Sequence, residues 1–419
     1  MKPVRVLVAN VFFAPFSYGG ATVVAEEVAR ASVAQGGFQV TAVSMCSRDD
    51  LAPYTIIKTE VQGIENYVIN LPQTRAPVEF FDNPKVAELL AELIDSLEPD
   101  LIHAHCIQEI GVGLFDVARS RGIPVVLSVH DFWWVCARQF MVRMDQTYCG
   151  QSPIKLSACK GCVPDFAGLT KRQSRLLRAA ETAALVTYPS AFAMALCEGS
   201  GLAPGKGVVW ENGVRLPGPH FFEQQAARRK TCKTLRFGFI GGPSQIKGWP
   251  VIRAAFAALE RDDFQVTLVD GSPDGSWWRG QRFDDLPGTW EVQQRYEQHD
   301  MDRFYSEIDV LLFMSQWKET FGLAVREALA RGIKVIQTDS GGSVEHPSID
   351  RADLIPIGSS KDVLLGQIED ALRTGVANAE IPHVTSFEGQ AAAFARLVDD
   401  VVKKQNRFRP DRQDQRSSA

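Results

Sequence analysis

Two glutamates in the C-terminal half of the chain are spaced so that they could flank a site for an anionic or hydroxyl-rich ligand. Glu319 and Glu327 lie eight positions apart, and a helix is predicted to begin between them. The first carboxylate would then lie in the loop before the helix and the second in its early turns. Loop amides there would point toward an anionic or hydroxyl-rich ligand. The alternative is a solvated pair flanking an ordinary strand-to-helix turn. The amides concerned are those of Thr320, Phe321, Gly322 and Leu323.

A cluster of cysteines in the N-terminal half has a spacing that suits a metal ion. Four of the eight cysteines fall within 27 residues, and the last two form a C-x2-C knuckle. Four thiolates can hold a tetrahedral zinc ion, and a reducing compartment favours metal binding over disulfides. Four free thiols and an iron–sulfur cluster are the alternatives. We expect a structural zinc site formed by Cys136, Cys149, Cys159 and Cys162.

Short apolar runs alternate with helical patterns along the whole chain, so both groups of residues must be positioned by an α/β fold. In the first half the runs lie at residues 4–9, 38–44, 67–71, 101–104, 125–129 and 184–187. After a segment rich in Gly and Pro (204–219) and a charged stretch around Arg228, the pattern restarts at 235–240, 265–269, 310–313 and 334–338. Strands alternating with helices predict mostly parallel sheets. We therefore expect two α/β halves joined by a linker.

Composition places the chain among folded globular proteins. Its 419 residues allow two or three domains, and 45% hydrophobic residues supply a core for each. The formal charge of −5 disfavours a protein that covers nucleic-acid phosphates. No apolar run reaches 18 residues and no signal peptide is recognisable, so we expect a cytoplasmic protein. The basic tail after residue 402 allows peripheral contact with an anionic membrane.

Several motifs in chain order resemble one family. The stretch MSQWKETFGLAVREALARGIKVIQTDSGG at 314–342 resembles the donor-sugar signature of retaining GT-B glycosyltransferases of family 4, in which two glutamates are spaced E-x7-E. The conjunction of motifs is far more specific than any one of them. The other matching segments are Gly19-Gly20, PDLIHAHC, Val129-His130-Asp131, Tyr188-Pro189-Ser190, Glu211-Asn212-Gly213-Val214 and Ile246-Lys247-Gly248.

The resemblance implies a GT-B fold of two Rossmann-like domains with a central cleft. Residues 1–212 would bind the acceptor and residues 213–386 the nucleotide sugar. The cysteine-bearing insertion, about 136–165, resembles a loop found in a subset of the family. A helix at 387–402 would pack back onto the first domain, and residues 403–419 would form a disordered tail.

The resemblance also implies roles for individual residues. Lys247 would stabilise the departing diphosphate, Glu319 would bind hydroxyls of the donor sugar, and Glu327 would accept bonds from the ribose. His130 would face the sugar from the acceptor side, and the glycine loop Gly19-Gly20 would contribute amides. The donor would be a UDP- or GDP-sugar, and no catalytic metal is expected.

The expected reaction is transfer to a hydroxyl acceptor with retention of configuration, in polysaccharide or glycoconjugate biosynthesis. The acceptor would be a saccharide, a lipid-linked saccharide or a small molecule. Nothing in the motifs supplies the carboxylate nucleophile of a double displacement, and the family precedent is front-face substitution. Other GT-B activities, such as nucleotide-sugar epimerase or phosphorylase, and a catalytically silent binding protein are the alternatives.

One position departs from the family pattern. Many members carry an arginine five residues before the lysine, and here that position is Gly242. Amides of the glycine turn or another cation, such as Arg253, would have to share the diphosphate charge. Aromatic residues after His130 are candidates for acceptor contact, with Trp133 and Trp134 favoured, although core packing is the more common role of such residues.

Overall fold

The structure, a computed structural model, describes residues 3–376 and 381–408, with side chains through residue 403. The chain divides into two compact units. The first contains the residues up to Gln139, then Gln151–Gly213 and the segment from Phe387 onward. The second contains Phe140–Gly150 and Val214–Ser386. Each unit is an α/β domain and is described by itself below.

Strands and helices alternate in the described part of the chain. The strands are β1 Val4–Ala9, β2 Phe38–Cys46, β3 Ile56–Val61, β4 Ile64–Asn70, β5 Leu101–Ala104, β6 Val125–Ser128, β7 Leu185–Tyr188, β8 Gly207–Val209, β9 Leu235–Ile240, β10 Phe264–Asp270, β11 Thr289–Gln294, β12 Val310–Phe313 and β13 Lys334–Gln337. The helices are α1 Gly20–Ala34, α2 Pro84–Leu97, α3 Gly113–Ser120, α4 Phe166–Ala180, α5 Ala191–Gly199, α6 Phe221–Thr231, α7 Trp249–Ala257, α8 Met301–Ser306, α9 Leu323–Leu329, α10 Lys361–Thr374 and α11 Phe387–Phe408.

The first unit is built on an eight-stranded sheet in the order β3-β4-β2-β1-β5-β6-β7-β8. Every neighbouring pair is parallel except β3 and β4. Strands β5 and β6 are buried at every position, as expected of a parallel sheet covered on both faces. The chain leaves β1 toward β2 and later returns to the other side of β1 with β5. This reversal of direction brings the loops after β1 and β5 together at the carboxyl edge, where such sheets bind ligands.

The second unit is built on a five-stranded parallel sheet in the order β11-β10-β9-β12-β13. Its core is strongly aromatic, and Phe237, Phe256 and Phe264 are almost fully buried. Here the direction reverses between β9 and β12. The loops that follow these two strands carry Lys247 and Glu319, so the sheet topology itself brings the two residues to one edge.

The local sequence of α2 explains where this helix begins and which face it buries. The side chain of Asn83 accepts hydrogen bonds from the amides of Lys85 and Val86 at the start of α2, which is a preferred N-cap arrangement. Val86, Leu90 and Ile94 follow at four-residue spacing and form the buried face of α2.

The last helix is longer than the sequence indicated. The prediction ended it at 402, but α11 continues to Phe408, because polar residues of good helical propensity extend it without a stop signal. The predicted tail therefore does not begin at 403. Its remaining part, 409–419, lies outside the described residues. Within the first unit, Gln35 Nε2 donates to the carbonyl oxygen of Glu388 at 2.7 Å.

Other segments also differ from the sequence-based expectation. Strand β3, which was not predicted, pairs with β4 through a tight turn at Gln62 and Gly63, both with positive φ (52° and 77°), as two-residue hairpin turns require. The charged stretch assigned to the linker is helix α6. Its Arg228 donates two hydrogen bonds to the buried carboxylate of Asp309, at 2.9 and 2.8 Å.

Candidate functional site

The loop after β9 places Lys247 beside the loop after β12. Residues Gln245–Lys247 form a single 3-10 turn, and Gly248 ends it with a φ of 79°. A Cβ at Gly248 would lie only 2.2 Å from the carbonyl oxygen of Met314. Only glycine permits this approach, so the close contact of the two loops requires Gly248 next to Lys247.

Lys247 and Glu319 form an ion pair at this edge of the sheet. Lys247 Nζ donates to Glu319 Oε1 at 2.8 Å. Ser315 Oγ donates to the same oxygen at 2.5 Å. The Glu319 side chain is 12% exposed and the Lys247 side chain 34%, so the carboxylate is fixed and the ammonium faces partly outward. A backbone hydrogen bond from Glu319 N to Ser340 O, at 2.9 Å, holds the loop against its neighbour.

Aromatic rings surround the ammonium of this pair. Lys247 Nζ lies 5.8 Å from the ring centroid of Trp317 and 6.0 Å from that of Phe313, within range of a cation–π attraction. Phe140, in the Phe140–Gly150 segment of the second unit, packs edge-on against Trp317 at 5.1 Å. The charged pair therefore lies against an apolar wall, where its electrostatic interactions are stronger than in bulk water.

The glutamate loop turns sharply into helix α9. Gly322 has a φ of 83°, and a Cβ there would lie 2.7 Å from Cβ of Ser343. Phe321 and Thr320 are buried. Arg326 lies 4.8 Å from the Phe321 ring and donates to the carbonyl oxygen of Ser343 at 2.7 Å. These contacts fix the loop whose amides the sequence analysis assigned to a ligand.

Glu327 lies deeper than Glu319. Its carboxylate accepts a hydrogen bond from the hydroxyl of Tyr305 at 2.8 Å, and the residue is only 7% exposed. Burial raises the pKa of Glu327, although the Tyr305 hydrogen bond and the nearby charge of Arg331 oppose that shift. Arg331 is fully buried and bonds to Asp302 at 2.7 Å. Tyr305 and Arg331 carry no motif, and the sequence reasoning missed them.

At Gly242, the position where many family members carry an arginine, an aromatic ring lies against the backbone. A Cβ at Gly242 would lie 3.2 Å from the indole of Trp277, so this ring covers the turn. Arg253, named as a possible substitute, donates to both carboxylate oxygens of Asp285, at 2.7 and 2.6 Å. Its guanidinium is thus held by an exposed ion pair.

In the first unit, His130 follows β6 and is held by a second histidine. His105 Nδ1 and His130 Nε2 are 2.8 Å apart, so one ring donates to the other. Burial lowers the pKa of His130 to about 4 and lowers that of His105 well below its ordinary value. The neighbouring carboxylate of Asp131 accepts hydrogen bonds from Gln139 Nε2 at 2.6 Å and from the amide of Trp133 at 2.8 Å.

A third histidine extends this group into the sheet. His103 Nε2 lies 2.8 Å from Ser128 Oγ, which lies 2.7 Å from Thr187 Oγ1. Its ring stacks on Phe394 at 4.3 Å. Burial, with a smaller contribution from the charge of His130, lowers the pKa of His103 to about 3. His103, His105 and His130 are therefore a group of neutral, hydrogen-bonded rings at neutral pH.

The remaining predicted residues of the first unit are placed as follows. Gly19 has a φ of 85° and precedes helix α1, which begins at Gly20. Both glycines are exposed. Trp133 and Trp134 are buried (7% and 3% exposed), and the guanidinium of Arg172 lies 4.7 Å from the Trp133 ring. Trp133 and Trp134 therefore have the core-packing role that is the more common one for such residues, and their burial disfavours acceptor contact.

The expected zinc site is not formed. Cys149 belongs to the segment that groups with the second unit, whereas Cys136, Cys159 and Cys162 belong to the first. Across residues 3–376 and 381–408, no group of three or more His, Cys, Asp or Glu side chains is arranged to hold a metal ion. All eight cysteines lie in these ranges, and none forms a disulfide. The C-x2-C pair instead forms a turn in which Cys162 N donates to Cys159 O at 2.9 Å.

A search of the described helices found none with the length and apolar character needed to span a membrane.

Comparisons with known proteins place this architecture in a family. The family described as Glycosyltransferase Family 4 matches residues 18–216, and the family described as Glycosyl transferases group 1 matches residues 223–352. Together the two matches span most of the chain. No functionally curated protein matches the sequence significantly.

Solved structures of similar fold cover nearly the whole chain. Sucrose-phosphate synthase from Thermosynechococcus elongatus is 16% identical, with a TM-score of 0.67 over 96% of this chain and 100% of that one. HepE of Anabaena, in complex with UDP and glucose, is 17% identical, with a TM-score of 0.59 over 98% and 100%. A trehalose-6-phosphate protein from E. coli, bound with UDP-2-fluoro glucose, is 15% identical, with a TM-score of 0.57 over 96% of each chain. With two parallel α/β units and a family match in each half, the chain belongs to the GT-B glycosyltransferases of the family-4 type.

Proposed function

We propose that the protein transfers a sugar from a nucleoside-diphosphate sugar to a hydroxyl acceptor with retention of anomeric configuration. The second unit binds the donor and the first unit binds the acceptor. The observation that carries this proposal is the ion pair of Lys247 and Glu319, 2.8 Å apart at the carboxyl edge of the second sheet.

Lys247 supplies the charge that the leaving group needs. A departing nucleoside diphosphate gains negative charge as the glycosidic bond to the sugar breaks, and a positioned cation lowers the free energy of that state. The Lys247 ammonium is 34% exposed and is held by Glu319, so it is oriented before the donor arrives. The amides of the buried Thr320–Phe321 turn lie in the same loop as Glu319 and add donors for the ligand.

Glu319 and Glu327 have different surroundings and hence different tasks. Glu319 is an anchored carboxylate beside the ammonium, suited to accept hydrogen bonds from donor-sugar hydroxyls. Glu327 is buried against Tyr305, and it shapes the ribose end of the site. With Glu319 paired to Lys247 and Glu327 buried, neither carboxylate is placed as a mobile nucleophile, which supports front-face substitution with retention.

In the first unit, His130 is the residue proposed to bind the acceptor hydroxyl. The pKa of His130 is about 4 because its ring is buried, so the imidazole is neutral at physiological pH and serves as a hydrogen-bonding partner for a hydroxyl. The likeness to solved structures holding UDP or UDP-glucose supports a UDP-sugar as the donor class. The expected acceptors are saccharides, lipid-linked saccharides or small alcohols.

The test is acceptor-dependent release of nucleotide. The purified protein is incubated with UDP-, GDP- and ADP-sugars, with and without a panel of saccharide and alcohol acceptors, and NMR follows the anomeric proton of the product. We expect nucleotide release that depends on an acceptor and a product with the donor's anomeric configuration.

Three results would contradict the proposal in distinguishable ways. An inverted product removes the retaining mechanism. Acceptor-independent interconversion of sugars identifies an epimerase. Identical behaviour of wild type and the Glu319→Ala variant with every donor points to a binding protein without catalytic activity.

A further inference from the structure

Trp277 lies across two glycines at the carboxyl edge of the second sheet. It belongs to the loop that follows β10. A Cβ at Gly271 would lie 2.7 Å from Cζ3 of the indole, and a Cβ at Gly242 would lie 3.2 Å from Cδ2 and Cε3. One face of the ring is therefore seated on backbone that side chains at these two positions would obstruct.

The preceding glycine of the same turn, Gly241, lies against the side-chain stem of Lys247. A Cβ at Gly241 would lie 3.4 Å from Cβ and Cγ of Lys247. The consecutive glycines Gly241 and Gly242 thus hold two side chains close to one turn, first the lysine stem and then the indole. The lysine stem and the indole therefore pack on consecutive residues of one turn at the carboxyl edge of the second sheet.

Two consecutive tryptophans in this loop have opposite environments. Trp278 is 4% exposed and packs in the aromatic core, where its Nε1 donates to Val269 O at 3.2 Å. Trp277 is 36% exposed. Core packing accounts for Trp278, whereas Trp277 leaves part of its indole exposed at the same sheet edge that carries Lys247.

We propose that Trp277 is the platform on which the nucleobase of the donor stacks. A nucleoside diphosphate carries an anion and a flat ring on one molecule, which match the ammonium of Lys247 and an exposed indole at the same edge of the sheet. Stacking on an aromatic side chain is strong and tolerates any base. This inference rests on the proposed function and assigns to Trp277 the part of the donor that Lys247 and Glu319 do not bind.

The test compares aromatic and aliphatic replacements of Trp277. Calorimetry measures the Kd of whichever of UDP, GDP and ADP the wild type binds most tightly. Trp277→Leu is expected to weaken binding about 5- to 100-fold, whereas Trp277→Phe, which keeps a ring, recovers most of the affinity. Phe222→Ala is the matched control, because it removes a ring of similar exposure (38%) from helix α6, and its Kd is expected within about twofold of wild type.

A second variant leaves the indole in place and obstructs its seat. Gly271 has an ordinary backbone conformation, so Gly271→Ala adds only a methyl group that collides with the ring. It is expected to weaken nucleotide binding in the same direction as Trp277→Leu, while the thermal unfolding midpoint shows that the fold is retained.

The outcomes separate this inference from the proposed function. A Trp277→Leu variant that binds the nucleoside diphosphate like wild type overturns the stacking role. So does a variant that loses affinity only for the intact nucleotide sugar, because the ring would then contact the sugar. Failure of the wild type to bind any nucleoside diphosphate contradicts the proposed function itself.

Discussion

The carboxyl edges of the two sheets carry different polar groups. In the second unit the edge carries the Lys247–Glu319 ion pair. In the first unit it carries His105 and His130, whose pKa values burial lowers so that both are neutral at pH 7. A nucleotide sugar carries negative charge on its diphosphate, whereas a hydroxyl acceptor can be neutral. The two edges therefore differ as a donor side and an acceptor side would.

The difference also shows in how each unit accommodates buried polar groups. The second unit buries full charges and pairs them, for example Arg331 with Asp302 and with the carbonyl oxygen of Glu327. The first unit buries histidine rings and hydroxyls, as in the contact of His103 with Ser128, near the hydrogen-bonded carboxylate of Asp131. Buried charges must be paired, whereas neutral groups need only hydrogen bonds.

Acid should destabilise the histidine group of the first unit most strongly. The folded pKa values of His103 and His130, about 3 and about 4, lie below the unfolded value of about 6.5. The unfolded chain therefore binds protons first, and stability that is full above pH 6.5 is lost as pH falls. For three histidines we expect a loss of about 4–6 kcal/mol in the free energy of unfolding between pH 6.5 and pH 5.

Urea unfolding at a series of pH values measures this slope. His105→Gln removes one of the three groups and should make the slope about one third shallower. A variant with the wild-type slope would contradict the assignment of acid sensitivity to these rings.

Removing a buried charge should destabilise the second unit. Arg331→Met leaves the carboxylate of Asp302 without its buried partner, and we expect the free energy of unfolding to fall by about 3–5 kcal/mol. Arg373→Met is the control, because that arginine is 72% exposed in α10 and pairs with Asp370. It should change stability by less than about 0.5 kcal/mol. Equal losses of unfolding free energy in the two variants would contradict the view that burial makes the Arg331 ion pair more important for stability than the exposed Arg373 pair.

Neutralising the anchored carboxylate should impair transfer more than nucleotide binding. Glu319→Gln removes the charge proposed to bind donor-sugar hydroxyls, and we expect kcat/KM for the nucleotide sugar to fall about 10- to 100-fold. The Kd for the free nucleoside diphosphate should change far less. Asp339→Asn alters an exposed carboxylate that accepts from the nearby Lys318 at 2.9 Å, and it should stay within about twofold of wild type. A comparable loss in both variants would refute a specific role for Glu319.

The smallest effect is expected at Arg253. Its guanidinium pairs with Asp285, whose side chain is 57% exposed, so Arg253→Ala should leave kcat/KM within about twofold of wild type. A loss of tenfold or more would instead show that Arg253 shares the diphosphate charge in place of the arginine missing at Gly242.

Most of the fold was predictable because buried parallel strands are continuous apolar runs. Strands such as β5 and β12 show this pattern in the sequence and are buried in the structure. Strand β3 was missed because its exposed positions weaken the pattern. Helix α6 was taken for a linker because its arginines read as a solvated run, whereas Arg228 pairs with Asp309, 81 positions later in the chain. Such long-range partners leave no local signal.

Residues of the candidate site were predictable only where they belong to a recognisable sequence motif. Glu319 and Lys247 could be named in advance, but Ser315, which orients Glu319, could not. The burial of Trp133 was expected only from the usual role of such residues, because the sequence beside a histidine is the same whether the aromatic ring is buried or exposed. The zinc prediction is not confirmed: in the part of the chain that the structure describes, no group of three or more His, Cys, Asp or Glu side chains is arranged to hold a metal ion.

The most direct test of the contrast between the two edges is nucleotide binding by Lys247→Met and His130→Ala, measured by calorimetry beside the transfer assay. The account predicts that Lys247→Met weakens the Kd for the nucleoside diphosphate about 10- to 100-fold, while His130→Ala binds it like wild type and loses transfer. Wild-type binding by Lys247→Met, or loss of binding in His130→Ala, would contradict the assignment of the charged edge to the donor.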